Sequence, residues 1–217
     1  KFTTNLVLVL DETPKTKEEQ DELVRKFLSG LEKMLSAETN KGILQPLMLS
    51  LDYCAKCNTC SEACHIFEAT GEHELYRPIY RSEILRRIIK KYFTTSGKLL
   101  GPLVGADIDL TWETVARLGE LAYRCNLCRR CAQTCPLGLD NGTIAKEIRK
   151  IFSQEMGIAP RPLHESGTMK QLQTGSSTGI TRPAFLDIIE FLEEDLEEKT
   201  GWKIKFPIDK KGADILL

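Results

Sequence analysis

The chain has 217 residues, 41% of them hydrophobic, which is enough for one large or two small domains with buried cores. Because 30 basic residues are balanced by 31 acidic ones, the net charge of −1 gives no reason to expect a nucleic-acid or membrane-surface partner. The longest apolar stretches, residues 6–10 and 43–51, are far shorter than the roughly 20 residues that cross a bilayer, so we expect no membrane span in this chain.

The first 43 residues predict an extended arm and one helix. Alternating β-favouring residues at 2–10, followed by a turn at 11–14, indicate a short strand. From Lys15 onward an apolar residue recurs at every fourth position, which predicts an amphipathic helix that ends near Asn40 and Gly42. The apolar face of that helix consists of Leu23, Phe27, Leu31 and Leu35.

Residues 44–160 hold all eight cysteines and are predicted to be helical between and after them. One apolar helix face precedes a glycine-rich break at 97–105, and a second helix is capped by Thr111. A third helix, capped by Asp140, is predicted to end at Gly157. The first face consists of Ile84, Leu85, Ile88, Ile89 and Tyr92, and the third of Ile144, Ile148, Ile151, Phe152 and Met156.

Residues 161–217 predict a connector, a helix and the start of a strand. Glycine and serine at 165–180 indicate a flexible connector. Apolar residues then predict a helix over 185–196, ended by Gly201, whose other face is either solvated or a docking surface for a basic partner. A short apolar run after Gly212 indicates a strand, so we expect the polypeptide to continue into another domain. The acidic face consists of Glu190, Glu193, Glu194, Asp195, Glu197 and Glu198.

The cysteines form two copies of the spacing C-x-x-C-x-x-C-x-x-x-C, called here the first and second runs. The first three thiolates of such a run lie on one loop and can bind three irons of one cubane iron-sulfur cluster. In two-cluster ferredoxin runs the fourth cysteine binds the other cluster, so the spacing predicts two [4Fe–4S] clusters with crossed ligands. The first cluster is expected on Cys54, Cys57, Cys60 and Cys135, and the second on Cys125, Cys128, Cys131 and Cys64.

Zinc and disulfides are the alternatives to iron. Structural zinc is usually bound by two C-x-x-C pairs that a dozen or more residues separate. Two short runs of four cysteines each fit that pattern poorly. Disulfide scaffolds are typically short, secreted and rich in loops, whereas this chain has predicted hydrophobic cores. Thiolate clusters favour a reducing compartment, so we expect a cytoplasmic protein of an anaerobic organism.

Polar residues near the cysteines are candidates for tuning the cluster potentials by hydrogen bonds and charge. His65, which follows the first run, is either such a residue or an ordinary helix-start histidine. The other candidates are Asn58, Thr59, Asn126, Arg129 and Arg130, of which the arginines have surface ion pairing as the alternative. Basic residues between the runs, opposed by Glu83, predict either a solvated helix face or a docking stripe for an acidic electron-transfer partner. This stripe consists of Arg77, Arg81, Arg86, Arg87, Lys90, Lys91 and Lys98.

Two ferredoxin-type runs separated by a long helical insertion resemble the α-helical ferredoxin domain. The second run with its flanks, YRCNLCRRCAQTCPLGLD at 123–140, is similar to iron-sulfur subunits related to heterodisulfide reductase C and D. That group includes the ferredoxin-like portions of glycerol-3-phosphate and lactate oxidation complexes. The tail from Glu194 to about residue 215 is similar to the junction that precedes the cysteine-rich CCG domains of the D-like proteins. The resemblance covers about residues 44–217, and it departs from many relatives at His65, where they have proline.

The resemblance implies a mainly α protein in three parts. These are an N-terminal arm and helix at 1–43, an α-helical ferredoxin domain with two [4Fe–4S] clusters at 44–160, and a linker, acidic helix and start of a further domain at 161–217. It implies an electron-transfer subunit of an anaerobic oxidoreductase, with flavin- or iron-sulfur-containing partner subunits and any membrane contact made through a partner. The alternatives are the N-terminal part of a catalytic D-like enzyme and a zinc-stabilised interaction module. No catalytic residue is predicted, since no hydride-binding, nucleophile or phosphate-loop motif occurs.

Overall fold

The computed structural model describes residues 14–212, which are mainly helical and contain no β-strand within that range. The chain divides into two compact units, Lys1–Arg161 and Pro162–Leu217. The extended arm expected at 2–10 and the strand expected after Gly212 lie outside the described residues. None of the helices described over residues 14–212 is both long and apolar enough to cross a membrane.

The first unit contains nine α-helices in its described part. They are α1 Lys17–Leu35, α2 Ala37–Asp52, α3 Thr59–Glu62, α4 His65–Ala69, α5 Ile79–Phe93, α6 Thr95–Leu100, α7 Trp112–Tyr123, α8 Arg130–Gln133 and α9 Asn141–Lys150. Short 3₁₀ turns occur at Glu74–Tyr76 and Gly101–Val104, and one π turn, Ile151–Glu155, extends α9. α10, Arg161–Leu163, spans the boundary between the units, and a π turn at His164–Thr168 follows it. The second unit then has α11 Met169–Thr174 and α12 Arg182–Thr200.

The helix predicted to end near Asn40 ends five residues earlier, so that prediction is wrong. α1 begins with a capping box. The Thr16 hydroxyl accepts the backbone N–H of Glu19, and the Glu19 carboxylate accepts the backbone N–H of Thr16. It ends at Leu35 because Ser36 is extended and caps α2, where its hydroxyl accepts the N–H of Glu38. Asn40 has non-helical backbone angles and marks a kink in α2. The turn signal read at 40–42 is therefore a kink within the second helix.

The core of the first unit lies between α1, α2, α5, α7 and α9. Phe27 on α1 meets Phe152 edge to face with their ring centroids 5.9 Å apart, and both side chains are fully buried. The predicted apolar faces of α5 and α9 are confirmed, because Leu85, Ile88 and Ile148 are fully buried there. The cysteine runs are thus attached to a packed helical scaffold that includes α1.

Two predicted caps are confirmed and fix the helices next to the cysteines. Thr111 accepts the backbone N–H of Thr114 at the start of α7, which leads into the second run. Asp140 accepts the N–H groups of Gly142 and Thr143 at the start of α9, which follows that run. Each cap satisfies backbone donors that a helix start leaves free.

The second unit contains the predicted acidic helix, α12, which ends as expected at Gly201 in the left-handed conformation, with φ +71°. The flexible connector predicted for 165–180 is helical through Thr174, so that prediction is wrong over its first half. Lys170, Gln171 and Leu172 are good helix formers, and the chain turns only at Gly175, with φ +76°. Glycine and serine content outweighed helix propensity in the prediction for this segment.

Gly119 allows α7 to approach the π turn after α9 closely. A Cβ at this position would lie 2.6 Å from the Phe152 ring, whereas a Cβ on Gly42 of α2 would have no atom within 4 Å. We expect Gly119→Ala to lower the unfolding free energy by about 1–3 kcal/mol through overpacking. Gly42→Ala is the control and should raise it by roughly 0.5–1 kcal/mol through helix propensity. Anaerobic denaturant titrations measure both, and equal effects would contradict this packing.

Candidate iron-sulfur site

The two cysteine runs have the same backbone conformation. Lys56 and Asn58 in the first run have φ values of +57° and +66°, and Leu127 and Arg129 at the equivalent positions of the second run have +55° and +60°. Left-handed residues among right-handed or extended ones turn successive N–H groups towards one concave side, which favours an anion. A cluster bound by thiolates is such an anion. The left-handed conformation of these four residues was not predictable from the sequence, because such positions usually favour glycine.

A one-turn helix follows the second cysteine of each run and carries the third cysteine. Cys60 lies on α3 and Cys131 on α8, and these two helices pack against each other. The packing brings the two runs together although a long helical insertion separates them in sequence. Cys60 is half-buried and Cys131 is buried.

One cavity joins cysteines of both runs. Its walls include Cys54, Cys57 and Cys60 of the first run together with Cys135 of the second. Apolar side chains from α5 and α9 and from the segment after Cys135 line part of the remainder, together with polar residues such as Ser50 and Asn141. The other apolar lining residues are Ala55, Ile79, Pro136, Leu137, Leu139 and Ile144.

The end of the first run lies beside the second run. His65, which follows Cys64, has its Nδ1 4.0 Å from Cys128 Sγ and its Nε2 2.7 Å from Asn126 Nδ2. Within the second run the Leu127 N–H donates to Cys125 Sγ over 3.4 Å. The structure thus brings two of the predicted tuning residues, His65 and Asn126, together at the second run.

The cysteine thiols have different local environments. The Thr59 hydroxyl, 3.4 Å from Cys57 Sγ, lowers the pKa of that thiol, as hydrogen bonds to a thiolate do. Burial raises the pKa of Cys60 to about 11 and also raises the pKa of Cys131. Since the thiolate is the form that binds metal, cluster assembly must release protons from these buried thiols.

Most of the basic residues between the runs make contacts within the first unit, whereas Lys98 is exposed, so a continuous solvated face does not describe them. Arg81 is buried and donates to the Leu121 carbonyl of α7. Arg86 and Arg87 both donate to Glu83, whose carboxylate also lies 3.0 Å from Lys56 Nζ. Because Lys56 belongs to the first run, this cluster of charges ties the first cysteine loop to α5. The periodicity of α5 did not predict these contacts, because the burial of an arginine depends on which helix packs against it.

Arginines also hold the second run in place. Arg129 pairs with Asp140 at 2.7 Å, so for Arg129 the ion-pairing alternative is the correct one. Arg149 of α9 donates to the carbonyl oxygens of Ala122, Tyr123 and Cys125, where the run begins. Sequence reasoning missed Arg149 because it looked like one more charged residue on a helix surface.

The ligands that this site offers, eight cysteine sulfurs, are those that iron-sulfur clusters require. Eight cysteines lie on two equivalent loops, and four of them share one cavity whose walls are partly apolar. Among residues 14–212 no three His, Cys, Asp or Glu side chains are grouped around a position for a single metal ion. The residues that could hold clusters are the eight predicted from the sequence.

Comparison with known proteins places this geometry in a family. Residues 50–139 match the family model described as the 4Fe-4S dicluster domain. This segment is a 4Fe-4S dicluster domain. Two [4Fe–4S] clusters are the cofactors that this family implies, in agreement with the prediction from the cysteine spacing.

Curated relatives support the predicted resemblance to heterodisulfide reductase-like subunits. The chain is 34% identical over 168 residues to Hdr-like menaquinol oxidoreductase iron-sulfur subunit 2 of Archaeoglobus fulgidus, which covers 77% of this chain and 30% of the relative. It is 31% identical over 166 residues to the corresponding subunit of Archaeoglobus profundus, covering 76% and 29%. Lactate utilization protein B 2 of Bacillus mycoides is 27% identical over 129 residues, which are 59% of this chain and 22% of the relative. No solved structure matches the chain significantly.

The alignments cover only a part of each relative. The matched part of the chain spans less than a third of the length of each of these three relatives. The dicluster domain and the resemblance to Hdr-like iron-sulfur subunits therefore describe the aligned segment, and they do not establish the activity of a longer protein.

The Glu83 charge cluster gives a pH-dependent prediction. Burial would raise the pKa of Glu83, but hydrogen bonds from Arg87, Arg86 and Lys56 outweigh it and lower the pKa to about 2. A carboxyl group with a lowered folded-state pKa stabilises the protein above its unfolded pKa and loses that contribution as the pH falls towards the folded value. We expect Glu83→Gln to lower the unfolding free energy by about 1–3 kcal/mol at pH 7, with a smaller difference below about pH 4.5.

Glu74→Gln is the matched control for this prediction. Glu74 pairs with Arg77 in the same unit, but its side chain is 62% exposed, against 13% for Glu83. Surface pairs contribute little, so the control should change stability by less than about 0.5 kcal/mol. Anaerobic unfolding at several pH values measures both variants, and a pH-independent effect of Glu83→Gln would contradict the assignment.

Proposed function

We propose that this protein relays single electrons through two [4Fe–4S] clusters with crossed ligands. The first cluster is held by Cys54, Cys57, Cys60 and Cys135, and the second by Cys125, Cys128, Cys131 and Cys64. The observation that carries the proposal is the single cavity that combines three cysteines of the first run with Cys135 of the second. The contact between His65 and the second run supports the reciprocal placement of Cys64.

Electron transfer follows from the number of protein ligands. A cubane with four cysteine ligands has no open coordination position, so its function is to accept and donate single electrons. Two clusters held by interleaved loops lie close together, which suits a relay. The protein then sets each potential through burial, nearby charge and hydrogen bonds to sulfur.

The relatives suggest the setting of this relay. The Archaeoglobus proteins are named as iron-sulfur subunits of an Hdr-like menaquinol oxidoreductase. We propose that this chain likewise acts within a multi-subunit oxidoreductase in the cytoplasm of an anaerobic organism. Its partners would be flavin- or iron-sulfur-containing subunits, and any association with a membrane would be made through one of them.

A catalytic role of a longer polypeptide is the second candidate. The matched segment is 30% of the Archaeoglobus fulgidus relative, so that protein contains a large part with no counterpart in the alignment. Mass measurement and sequencing of the intact native protein distinguish the candidates. CCG motifs in the same polypeptide would favour the N-terminal part of a D-like enzyme, and their absence would favour a separate electron-transfer subunit.

Metal analysis of anaerobically purified protein tests the proposed cofactors. Two cubanes contain about eight irons and about eight sulfides per chain, and reduction should produce electron paramagnetic resonance signals of two clusters. Stoichiometric zinc with little iron would instead support the zinc-held interaction module and contradict the relay.

A pair of variants tests the crossed ligands. Cys64→Ser should alter the spectrum of the second cluster, although Cys64 belongs to the first run. Cys135→Ser is its mirror image and should alter the spectrum of the first cluster. Reduced-state spectra of the two variants should therefore show changes in different clusters. If each variant damaged the cluster of its own run, the crossed assignment would be wrong.

A further inference from the structure

The two halves of the site differ at the residue after the fourth cysteine. The first run continues from Cys64 into His65, and the second continues from Cys135 into Pro136. Both residues lie against the opposite run, because His65 contacts Asn126 and Cys128, while Pro136 lines the cavity of Cys54, Cys57 and Cys60. Imidazole carries a hydrogen-bond donor, whereas proline has no N–H and an aliphatic ring. The otherwise equivalent cysteine loops therefore have chemically different neighbours.

The contacts of His65 define the direction of its hydrogen bonds. Asn126 Nδ2 lies 2.7 Å from Nε2, and an amide N–H at that position donates, so Nε2 accepts. The ring proton of the neutral imidazole is then on Nδ1, the nitrogen that faces Cys128 Sγ at 4.0 Å. Asn126 thus orients His65 as a donor towards the sulfur, as partners of metal-site residues commonly do.

A donor beside a coordinated thiolate favours the reduced cluster. Reduction adds one negative charge to the cluster, and a hydrogen bond to its sulfur stabilises the more negative state. The half-buried position of His65 strengthens this effect relative to a fully hydrated site. Removing the donor should therefore make the cluster harder to reduce.

We propose that His65 sets the potential of the second cluster, as a positioning residue that donates a hydrogen bond to Cys128 and is itself oriented by Asn126. This inference rests on the ligand assignment of the proposed function. It makes the second cluster easier to reduce than the same cysteines would make it alone. The difference between His65 and Pro136 then gives the relay an asymmetry that the repeated cysteine spacing does not show.

The main test variant is His65→Pro, which copies the second half of the site. His65 is the first residue of α4 and Cys64 before it is extended, so proline is sterically compatible with this position. At a fixed solution potential, we expect the ratio of reduced to oxidised second cluster to decrease by a factor of about three to ten. A tenfold change corresponds to about 59 mV for one electron. Redox titration of the iron-loaded protein, followed by electron paramagnetic resonance, measures it.

Three further variants separate this role from a structural one. His65→Gln keeps an N–H donor and should restore part of the potential. Thr59→Val removes the hydroxyl next to Cys57 Sγ and should lower the potential of the first cluster alone. His73→Gln, on an exposed residue capping the turn at Glu74–Tyr76, should change neither potential.

The outcomes distinguish this inference from the proposed function. Two clusters with full iron and sulfide content in His65→Pro, but an unchanged second potential, would overturn the role of His65 and leave the relay intact. A change confined to the first cluster would overturn both the role and the crossed assignment. Loss of the second cluster in His65→Pro, together with an unchanged second potential in His65→Leu, which removes the donor without introducing proline, would show that His65 only stabilises the loop and would also overturn the proposal.

Discussion

The structure depends on the contact between two short cysteine loops that are distant in sequence. A loop that carries cysteines at positions one, four and seven offers three sulfurs to one centre, and a cubane needs a fourth. The pairing of α3 with α8 brings the two runs together, with Cys135 in the cavity of the first run and His65 beside Cys128 of the second. Around this contact the five larger helices of the first unit form a frame with a shared hydrophobic core, in which α5 and α9 contribute walls of the cysteine cavity.

Charged side chains connect the loops to this frame. Glu83 anchors Lys56 of the first loop, and Arg149 binds the carbonyl groups at the start of the second. Asp140 caps α9 and also pairs with Arg129, so one carboxylate joins the second loop to the following helix. Such contacts fix the position and orientation of the two cysteine loops on the helices that follow and surround them.

The sequence predicted those features that depend on local pattern. Helix faces such as Leu85, Ile88 and Ile148, the caps Thr111 and Asp140, and the end of α12 at Gly201 could be read from periodicity and capping chemistry. The eight cysteines and the resemblance to Hdr-like subunits came from spacing. His65 and Asn126 were also candidates near a cluster, and the structure adds that they contact each other.

Features that depend on tertiary contacts were not accessible from the sequence. The helix boundary at Ser36 was not predicted. Ser36 directly follows the apolar repeat of α1, and helix α2 begins at the next residue, so the sequence shows no long break between the two helices. Arg81 looked solvent-exposed, whereas it is buried against the Leu121 carbonyl of a helix 40 positions away in the chain. The left-handed residues of the cysteine loops carry ordinary side chains, and their conformation reflects the loop as a whole.

Anomalous diffraction at the iron edge from anaerobically grown crystals tests the central claim most directly, because it locates the irons independently of any assumed ligand set. We expect two separate groups of iron. One lies among Cys54, Cys57, Cys60 and Cys135, and the other among Cys125, Cys128, Cys131 and Cys64. An iron group bound by all four cysteines of a single run, or signal at the zinc edge in place of iron, would contradict it.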